Sequence, residues 1–204
     1  MKTIYLVRHG QAVGNEIAVF KKPSALLTER GVLEASVLSQ KLMLLEPELI
    51  VSSPLPRAMQ TSEIINQETS IPFIIHKGFS GIRHATSMAG KLKEGDEANQ
   101  YLKTIKRMYT DNPDSHYEDA ENYTEFHARL CTALQFLEQR SESKIAVVTH
   151  ESIIKSLLIL VLHNKAYNPV LNIDLKNHMG KMLNTGITKF EYTDTWKLVS
   201  WNVN

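Results

Sequence analysis

One cysteine, no long apolar run and almost no net charge are the first features of this sequence of 204 residues. The lone Cys131 leaves no partner for a disulfide within the chain, and its place in an apolar helical pattern favours a buried thiol over a catalytic one. The sequence has 23 Lys and Arg residues against 22 Asp and Glu residues. This balance argues against binding to nucleic acid or to an anionic membrane through a broad positive surface.

Export and membrane signals are also lacking. The most apolar run, Ile153–Leu162, is interrupted by Lys155 and Ser156 and is far shorter than the roughly 20 residues that span a bilayer. The apolar stretch after Met1 is too short for a signal peptide and meets Arg8 almost at once. The sequence therefore predicts a cytoplasmic protein.

Several common catalytic signatures are absent as well. There is no glycine-rich phosphate loop followed by Lys and Ser or Thr, no dinucleotide-binding glycine motif and no Gly-x-Ser-x-Gly elbow. His150-Glu151 resembles the start of a zinc-protease motif, but Ile154 stands where the second histidine would have to lie. The sequence thus predicts neither a metal site nor an organic cofactor.

Apolar periodicity predicts strands that alternate with helices along most of the chain. The predicted strands are Thr3–Val7, Leu49–Val51, Pro72–Ile75, Lys144–Thr149, Ile187–Tyr192 and Trp196–Trp201. Helices are predicted from the Thr28 cap to Leu45, from a Ser53-Pro54 start to about Ile65, and over Asp96–Tyr109, Tyr123–Leu137 and Ile153–Leu162. This order predicts one α/β domain over residues 1–204, a three-layer α/β/α sandwich with a mostly parallel mixed sheet. Much of the segment 76–120 lacks clear apolar periodicity, and we predict that it forms a lid or pocket wall.

Three strand-to-helix junctions carry cationic or imidazole side chains at the carboxyl ends of predicted strands. The first junction ends in Arg8 and His9. The second leads to Arg57, and the third ends in His150. Because open α/β sheets bind ligands at this edge, we expect the four side chains to meet around one anion. Helix N-termini at the second and third junctions add partial positive charge and free amides, so the sequence predicts a phosphate site.

Four segments, in order, resemble the motifs of the histidine phosphatase superfamily, the phosphoglycerate-mutase-like proteins. An isolated Arg-His-Gly would be a weak signal, but four motifs in the expected order are a specific one. The resemblance implies a phosphoglycerate-mutase-like fold. The segments are Leu6–Gln11 with Asn15, Leu27–Gly31, Ser52–Thr61 and Val147–His150.

The resemblance also implies roles for the four side chains. His9 attacks phosphorus and forms a phosphohistidine, Arg8 and Arg57 bind the phosphoryl oxygens, and His150 contacts them too. Physical chemistry agrees, because neutral imidazole is a nucleophile near pH 7 and guanidinium groups bind oxyanions in a bidentate manner. The predicted function is a metal-independent phosphatase that hydrolyses phosphomonoesters.

The predicted substrate is a small phosphorylated metabolite, with neither nucleic acid nor a membrane as a partner. Gln11 and Asn15 are uncharged hydrogen-bonding residues suited to the part of the substrate beyond the phosphate. Their other interpretation is a purely local role in a turn, since loop amides often serve only that purpose.

The general acid departs from the family pattern. Many relatives have a glutamate after the third strand that supplies a proton to the leaving alkoxide, but Phe79–His84 contains no carboxylate. Glu151 is the preferred replacement, because the acid-phosphatase and phytase branch carries its proton donor directly after the second histidine. His84 and Glu121 are the other candidates. A chain without any acid would be limited to good leaving groups such as phosphohistidine or aryl phosphates.

Two other functions remain open at this point. A phosphoglycerate-type mutase uses the same phosphohistidine but passes the phosphoryl group to a second substrate hydroxyl instead of water. A pseudoenzyme would keep the cationic pocket as a phospho-ligand sensor, and the absent glutamate favours this alternative.

Overall fold

A single mixed sheet of six strands organises the part of the chain that the computed structural model describes, residues 1–164, 166 and 168–204. The strand order is β3-β2-β4-β1-β5-β6. Strands β1 to β4 pair in parallel, whereas β5 pairs with β1 and β6 in antiparallel fashion. The predicted mostly parallel sheet with a terminal hairpin is therefore confirmed. The strands are β1 (Lys2–Arg8), β2 (Leu49–Ser52), β3 (Phe73–Ile75), β4 (Lys144–Thr149), β5 (Ile187–Tyr192) and β6 (Trp196–Val203).

The described residues form six α-helices and two short 3-10 turns. Five of the helices lie where apolar periodicity predicts them. Among the residues described, no helix has the length and apolar character needed to cross a membrane. The helices are α1 (Glu29–Leu45), α2 (Pro56–Thr69), α3 (Asp96–Asp111), α4 (Tyr123–Gln139), α5 (Glu151–Leu162) and α6 (Pro169–His178).

Alternating side chains of the central strands build a separate core on each face of the sheet. In β1, Ile4 and Leu6 join the cluster that contains apolar residues of α4 and α5. Tyr5 and Val7 point the other way and join the cluster formed with α1 and α2. Because both faces are covered, the central strands are buried throughout, as in other parallel sheets. The predicted three-layer α/β/α sandwich is confirmed.

The register of β1 and β4 brings the two predicted histidines together. Arg8 lies opposite Thr149 in this parallel pair, so His9 and His150 each follow at the same level of the sheet. The backbone N–H of His9 also donates to the Thr149 carbonyl oxygen over 3.0 Å. Two residues far apart in the sequence are therefore neighbours because two strands share one register.

Helix α2 begins two residues later than predicted. The predicted start placed Ser53 as the cap and Pro54 at the first helical position, but Leu55 is the cap and Pro56 is the first residue. The Ser53 hydroxyl lies 2.7 Å from Nε2 of His150 instead. The later start puts Arg57 at the second position of the helix, at the edge of the sheet.

Two further features differ from the sequence-based expectations. Helix α6 falls in a stretch without a predicted element, although Asn168 caps it through its side chain and Pro169 is its first residue, which is a recognisable start signal. Cys131, predicted to be buried, is only partly so. It lies on α4, whose buried face is carried by other residues.

Gly31 allows the start of α1 to approach the loop that follows His9. A Cβ atom at Gly31 would overlap the Gln11 carbonyl oxygen, and one at Gly10 would overlap the Gly31 carbonyl oxygen. The Thr28 N–H also donates to the Gln11 carbonyl oxygen over 2.9 Å, so backbone meets backbone here. The family-like segment Leu27–Gly31 therefore supports the loop that follows His9.

We expect Gly31→Ala to lower the free energy of unfolding by about 1–3 kcal/mol, the usual range for overpacking. Helix propensity alone would make this substitution stabilising, because alanine is favoured over glycine in a helix by about 1 kcal/mol. A loss of stability would therefore indicate the steric overlap. Urea denaturation followed by circular dichroism measures the change, with the exposed position Val37→Ala as the control on the same helix. A variant as stable as the wild type would show that the close approach is unimportant.

Candidate active site

Two histidines from different strand ends form the floor of the candidate site. His9 and His150 are 2% and 5% exposed, and their ring centroids lie 5.1 Å apart. Both follow buried parallel strands, β1 and β4, so the backbone of these strands fixes the positions of the two rings. The predicted meeting of these two side chains at the carboxyl edge of the sheet is observed.

The hydrogen bonds of His9 identify its tautomer. Nδ1 lies 2.6 Å from the Gly10 carbonyl oxygen, which can only accept, so Nδ1 carries the proton. Nε2 therefore keeps its lone pair, and it accepts a hydrogen bond from Nε of Arg57 over 3.2 Å. Burial, followed by the charges of His150 and Arg57, lowers the pKa of His9 well below its ordinary value. His9 is thus a neutral imidazole with an available nitrogen at neutral pH.

Both arginines have buried nitrogens without a partner among the described residues. These atoms are Nε of Arg8 and Nη1 of Arg57, and Nδ1 of His150 shares the property. Buried polar atoms are almost always hydrogen-bonded, and leaving one unpaired costs free energy. Burial and the nearby Arg8 lower the pKa of Arg57 to about 10, which still leaves it charged at neutral pH. Unpaired cationic nitrogens around a neutral imidazole suit an oxyanion.

A cavity of about 390 Å³ opens over these side chains. Its lining includes six Lys and Arg side chains but a single carboxylate, that of Glu151. The cavity is therefore strongly positive although the whole chain is almost neutral. The lining residues are Arg8, His9, Lys21, Arg57, Gly81, Ile82, His84, Lys93, His150, Glu151, Ser152, Lys155 and Lys176.

Gln11 and Asn15 line a neighbouring cavity of about 540 Å³ that shares Arg8 with the first. The Gln11 side-chain oxygen accepts a hydrogen bond from the Thr28 hydroxyl over 2.8 Å. Asn15 Oδ1 accepts from Lys21 Nζ over 2.6 Å, which orients that lysine at the edge of the histidine cavity. Substrate binding by Gln11 and Asn15 stays a prediction, and both have local partners in the unliganded protein.

Glu151 lies beside Arg8, with Oε2 at 3.3 Å from the guanidinium Nη1. Its Oε1 accepts a hydrogen bond from Lys155 Nζ over 2.7 Å. Burial alone would raise the pKa of Glu151, but the hydrogen bond from Lys155 and the charge of Arg8 outweigh it and lower the pKa. The carboxylate is therefore ionised at neutral pH in the unliganded site. Proton donation by Glu151 stays a prediction, and these contacts oppose it.

The other two acid candidates have different surroundings. His84 lines the cavity, and burial, followed by the charge of Lys93, lowers its pKa to about 4. It is therefore neutral rather than cationic near pH 7. Glu121 is not among the cavity residues, and both of its oxygens accept hydrogen bonds from Arg129, over 2.7 and 2.8 Å. Its neighbour Asn122 caps α4, because the Asn122 side chain accepts a hydrogen bond from the Glu125 N–H.

The lysines around the cavity, Lys21, Lys93, Lys155 and Lys176, are residues that sequence reasoning did not single out. Lys21 and Lys93 lie in irregular segments, and Lys176 lies on the helix that was not predicted. Of these lysines, only Lys93 lies in the segment 76–120 that was predicted to form a pocket wall, so its basic charge there was the one available signal. Within the described ranges, no three His, Cys, Asp or Glu side chains form a group able to hold a metal ion.

We expect His9 and His150 to stay uncharged on titration. Burial and nearby cations lower the pKa of both rings, so the folded state binds protons less readily than the unfolded chain. The NMR chemical shifts of both rings should stay at values typical of neutral imidazole from about pH 8 to about pH 5.5, a range in which ordinary imidazoles become protonated. Their contribution to the free energy of unfolding should fall as the pH drops through about 6.5. A His9 midpoint at or above the ordinary value of about 6.5 would contradict the lowered pKa and the neutral ring described above.

Known proteins with the same architecture extend these observations. A family model described as "Histidine phosphatase superfamily (branch 1)" matches residues 4–204. The uncharacterized phosphatase PhoE of Bacillus subtilis (strain 168) is 24% identical over 207 residues, which is all of this chain and 96% of the relative.

Solved structures show the same fold. The mycobacterial glucosyl-3-phosphoglycerate phosphatase has a TM-score of 0.77 at 20% identity, with all of both chains covered. The phosphoserine phosphatase of Entamoeba histolytica, in complex with 3-phosphoglyceric acid, has a TM-score of 0.74 at 21% identity, covering 100% of this chain and 98% of that one. The resemblance of the four sequence motifs is thus confirmed over nearly the whole chain, which belongs to branch 1 of the histidine phosphatase superfamily.

Proposed function

We propose that this protein is a metal-independent phosphatase that hydrolyses phosphomonoesters of small metabolites through a phosphohistidine on His9. The observation that carries the proposal is the neutral His9 ring, whose Nε2 lone pair accepts a hydrogen bond from Arg57 Nε, in one cavity with the buried and unpaired guanidinium nitrogens of Arg8 and Arg57. Phosphoryl transfer requires mainly in-line positioning and stabilisation of charge on the equatorial oxygens. These side chains provide both.

In the first step, the phosphoryl oxygens bind Arg8, Arg57 and His150, and Arg57 Nε moves its hydrogen bond from His9 to the phosphate. The His9 Nε2 lone pair then attacks phosphorus, an N–P bond forms and the ester P–O bond breaks. The bond's electron pair leaves on the ester oxygen, which takes a proton from solvent water to become an alcohol, and the proton released by the attacking water in the second step restores the balance. The covalent intermediate divides one displacement into two easier ones.

In the second step, water attacks the phosphohistidine and loses a proton. The N–P bond breaks, its electron pair returns to Nε2 of His9, and inorganic phosphate leaves. The proton on Nδ1 stays hydrogen-bonded to the Gly10 carbonyl oxygen throughout, which keeps the same nitrogen facing phosphorus. The pocket is therefore ready for another turnover without a change of tautomer.

The direct test is to trap the phosphoenzyme from a labelled aryl phosphate by rapid acid-free quenching, with a chelator present. We expect a label on His9 that is labile in acid and stable in alkali, and that decays at the rate of phosphate release. Saturable binding without label would instead indicate a sensor. A label transferred to an acceptor alcohol with little free phosphate would indicate a mutase.

In this proposal the ionised Glu151 carboxylate orients Arg8 and donates no proton. Removal of the Glu151 charge should therefore affect all substrates alike. We expect Glu151→Gln to lower kcat/KM by about tenfold for aryl and alkyl phosphates equally, because Arg8 loses its ion pair and, among the described residues, is then held only by its hydrogen bond to the Met182 carbonyl oxygen. Without a protonated acid, turnover of both proteins should fall steeply as the leaving group becomes more basic. A loss confined to alkyl phosphates would assign the proton donor to Glu151 after all. Glu97→Gln, an exposed carboxylate outside the cavity, is the control.

A further inference from the structure

Three lysines that the proposed mechanism does not use line the same cavity, and we call them the lysine wall: Lys21, Lys93 and Lys176. The cavity volume of about 390 Å³ falls in the range of small-molecule sites, so it accommodates more than one phosphate. The wall therefore borders space that the body of a substrate would fill.

Tertiary contacts, not sequence proximity, bring these lysines together. Lys21 and Lys93 come from two segments joined by a short antiparallel bridge between Val19 and Leu92. On either side of this bridge, the Phe20 N–H donates to the Lys91 carbonyl oxygen over 2.9 Å, and the Lys93 N–H donates to the Ala18 carbonyl oxygen over 2.6 Å. Lys176 reaches the cavity from the last turn of α6. The three lysines thus reach one cavity from three separate segments.

None of the three forms an ion pair with a carboxylate within the described ranges. Lys21 Nζ donates to a neutral partner, Asn15 Oδ1, over 2.6 Å. Lys93 and Lys176 lie over aromatic rings, with Nζ at 5.4 Å from the Phe20 centroid and 5.3 Å from the Phe126 centroid respectively. Lys155 differs, since it is paired with Glu151. The wall is therefore a group of cations without matching protein anions.

Burial and the gathering of like charges both disfavour the protonated form of a lysine, so they lower its pKa. Burial, followed by the charges of Arg8 and Arg57, lowers the pKa of Lys21 to about 7. Burial and nearby Lys155 lower the pKa of Lys176 to about 8. An anion bound between them would favour the charged forms and reverse these shifts.

The charge of the cavity exceeds what one phosphoryl group can balance. When all six cationic side chains are protonated, as a bound anion would favour, they and the one carboxylate leave five positive charges, and a phosphate dianion reduces these to about three. We infer that the substrate carries a second anionic group, a phosphate or a carboxylate, that binds the lysine wall while its phosphoryl group lies against His9. This inference rests on the proposed function and narrows its substrates to small organic phosphates with two anionic groups.

Three esters that share a three-carbon chain test the inference: glycerol 3-phosphate, 3-phosphoglycerate and glycerol 1,3-bisphosphate. They differ in whether the far end is neutral, a carboxylate or a phosphate. We expect kcat/KM for at least one anionic ester to exceed that for glycerol 3-phosphate by about tenfold or more at low salt, and salt to reduce the ratio. The better of the two anionic esters identifies the second group.

The ratio between esters should fall towards one in the triple variant Lys21→Met, Lys93→Met and Lys176→Met. A ratio is the useful readout, because any general effect on turnover cancels within each variant. The single variants Lys93→Met and Lys176→Met serve if the triple variant does not fold, and each should lower the ratio severalfold. Lys91→Met, an exposed lysine paired with Glu97, is the control and should keep the wild-type ratio.

Failure of the inference is distinguishable from failure of the proposed function. Hydrolysis of p-nitrophenyl phosphate that depends on His9, together with ester ratios within about twofold of one, overturns the inference alone. If no ester is hydrolysed, the dissociation constants of the same three compounds with the His9→Ala protein, measured by calorimetry, decide the question. Equal constants would overturn the second anion site, whereas a tenfold preference abolished in the triple variant would support it.

Discussion

Replacing His9 with alanine is expected to lower kcat/KM for every phosphomonoester by about 10⁴-fold or more, because the covalent route disappears with the nucleophile. The remaining arginines would still bind phosphate, so the loss should fall mainly on kcat. Acid-labile phosphoprotein should disappear in the same variant. Steady-state kinetics and trapping of the labelled protein measure the two effects.

The control for this variant is His163→Ala, an exposed histidine at the end of α5 and outside the cavity, which should keep wild-type activity. Because His9 is buried, thermal unfolding must accompany the kinetics to show that the His9→Ala protein is folded. Activity within tenfold of the wild type in a folded His9→Ala protein, or a persistent acid-labile label, would exclude His9 as the nucleophile.

Replacing Arg57 should have the second largest effect, a loss of about 10²–10³-fold in kcat/KM for Arg57→Ala. Arg57 does two things at once, since its Nε contacts His9 Nε2 and its buried Nη1 has no partner among the described residues. Arg57→Lys should recover only part of the loss, because an ammonium keeps the charge but lacks the planar pair of donors. Arg107→Ala, at an exposed arginine of α3 outside both cavities, is the matched control.

Removing the Arg57 charge should reduce activity strongly without lowering the free energy of unfolding. A buried cation with an unpaired donor costs free energy in the unliganded protein, so Arg57→Met should unfold at the same or a higher urea concentration than the wild type. A clear destabilisation together with normal activity would show that Arg57 is a structural residue. Lost activity with retained stability is the result that the proposed function requires.

The central residues of the site could be predicted because their signals are local. Arg8 and His9 follow an apolar strand directly, and His150 follows another, so each lies at a strand end that periodicity reveals. The N-cap at Thr28 was readable for the same reason, since its side chain accepts a hydrogen bond from Gly31 only three residues away.

Predictions that depended on distant partners were less successful. Ser53 looked like a helix cap, but its hydroxyl contacts His150, a residue that lies on another strand. The local sequence around Ser53 is the same whether its hydroxyl caps the helix or contacts His150. Only the position of the neighbouring strand β4 decides between the two. The charge state of Glu151 is a similar case, because it depends on Arg8 from β1 as well as Lys155 from its own helix.

By itself, the sequence determined the order of the six strands and of five helices, the family and the four side chains that meet at the candidate site, since these depend on periodicity and short motifs. The tertiary structure decided which further groups face that site. It brought the lysine wall together from three segments and left Glu121 outside the cavity beside Arg129. Electrostatic interactions depend on distance through space and on burial, and neither quantity is encoded in the spacing of residues along the chain.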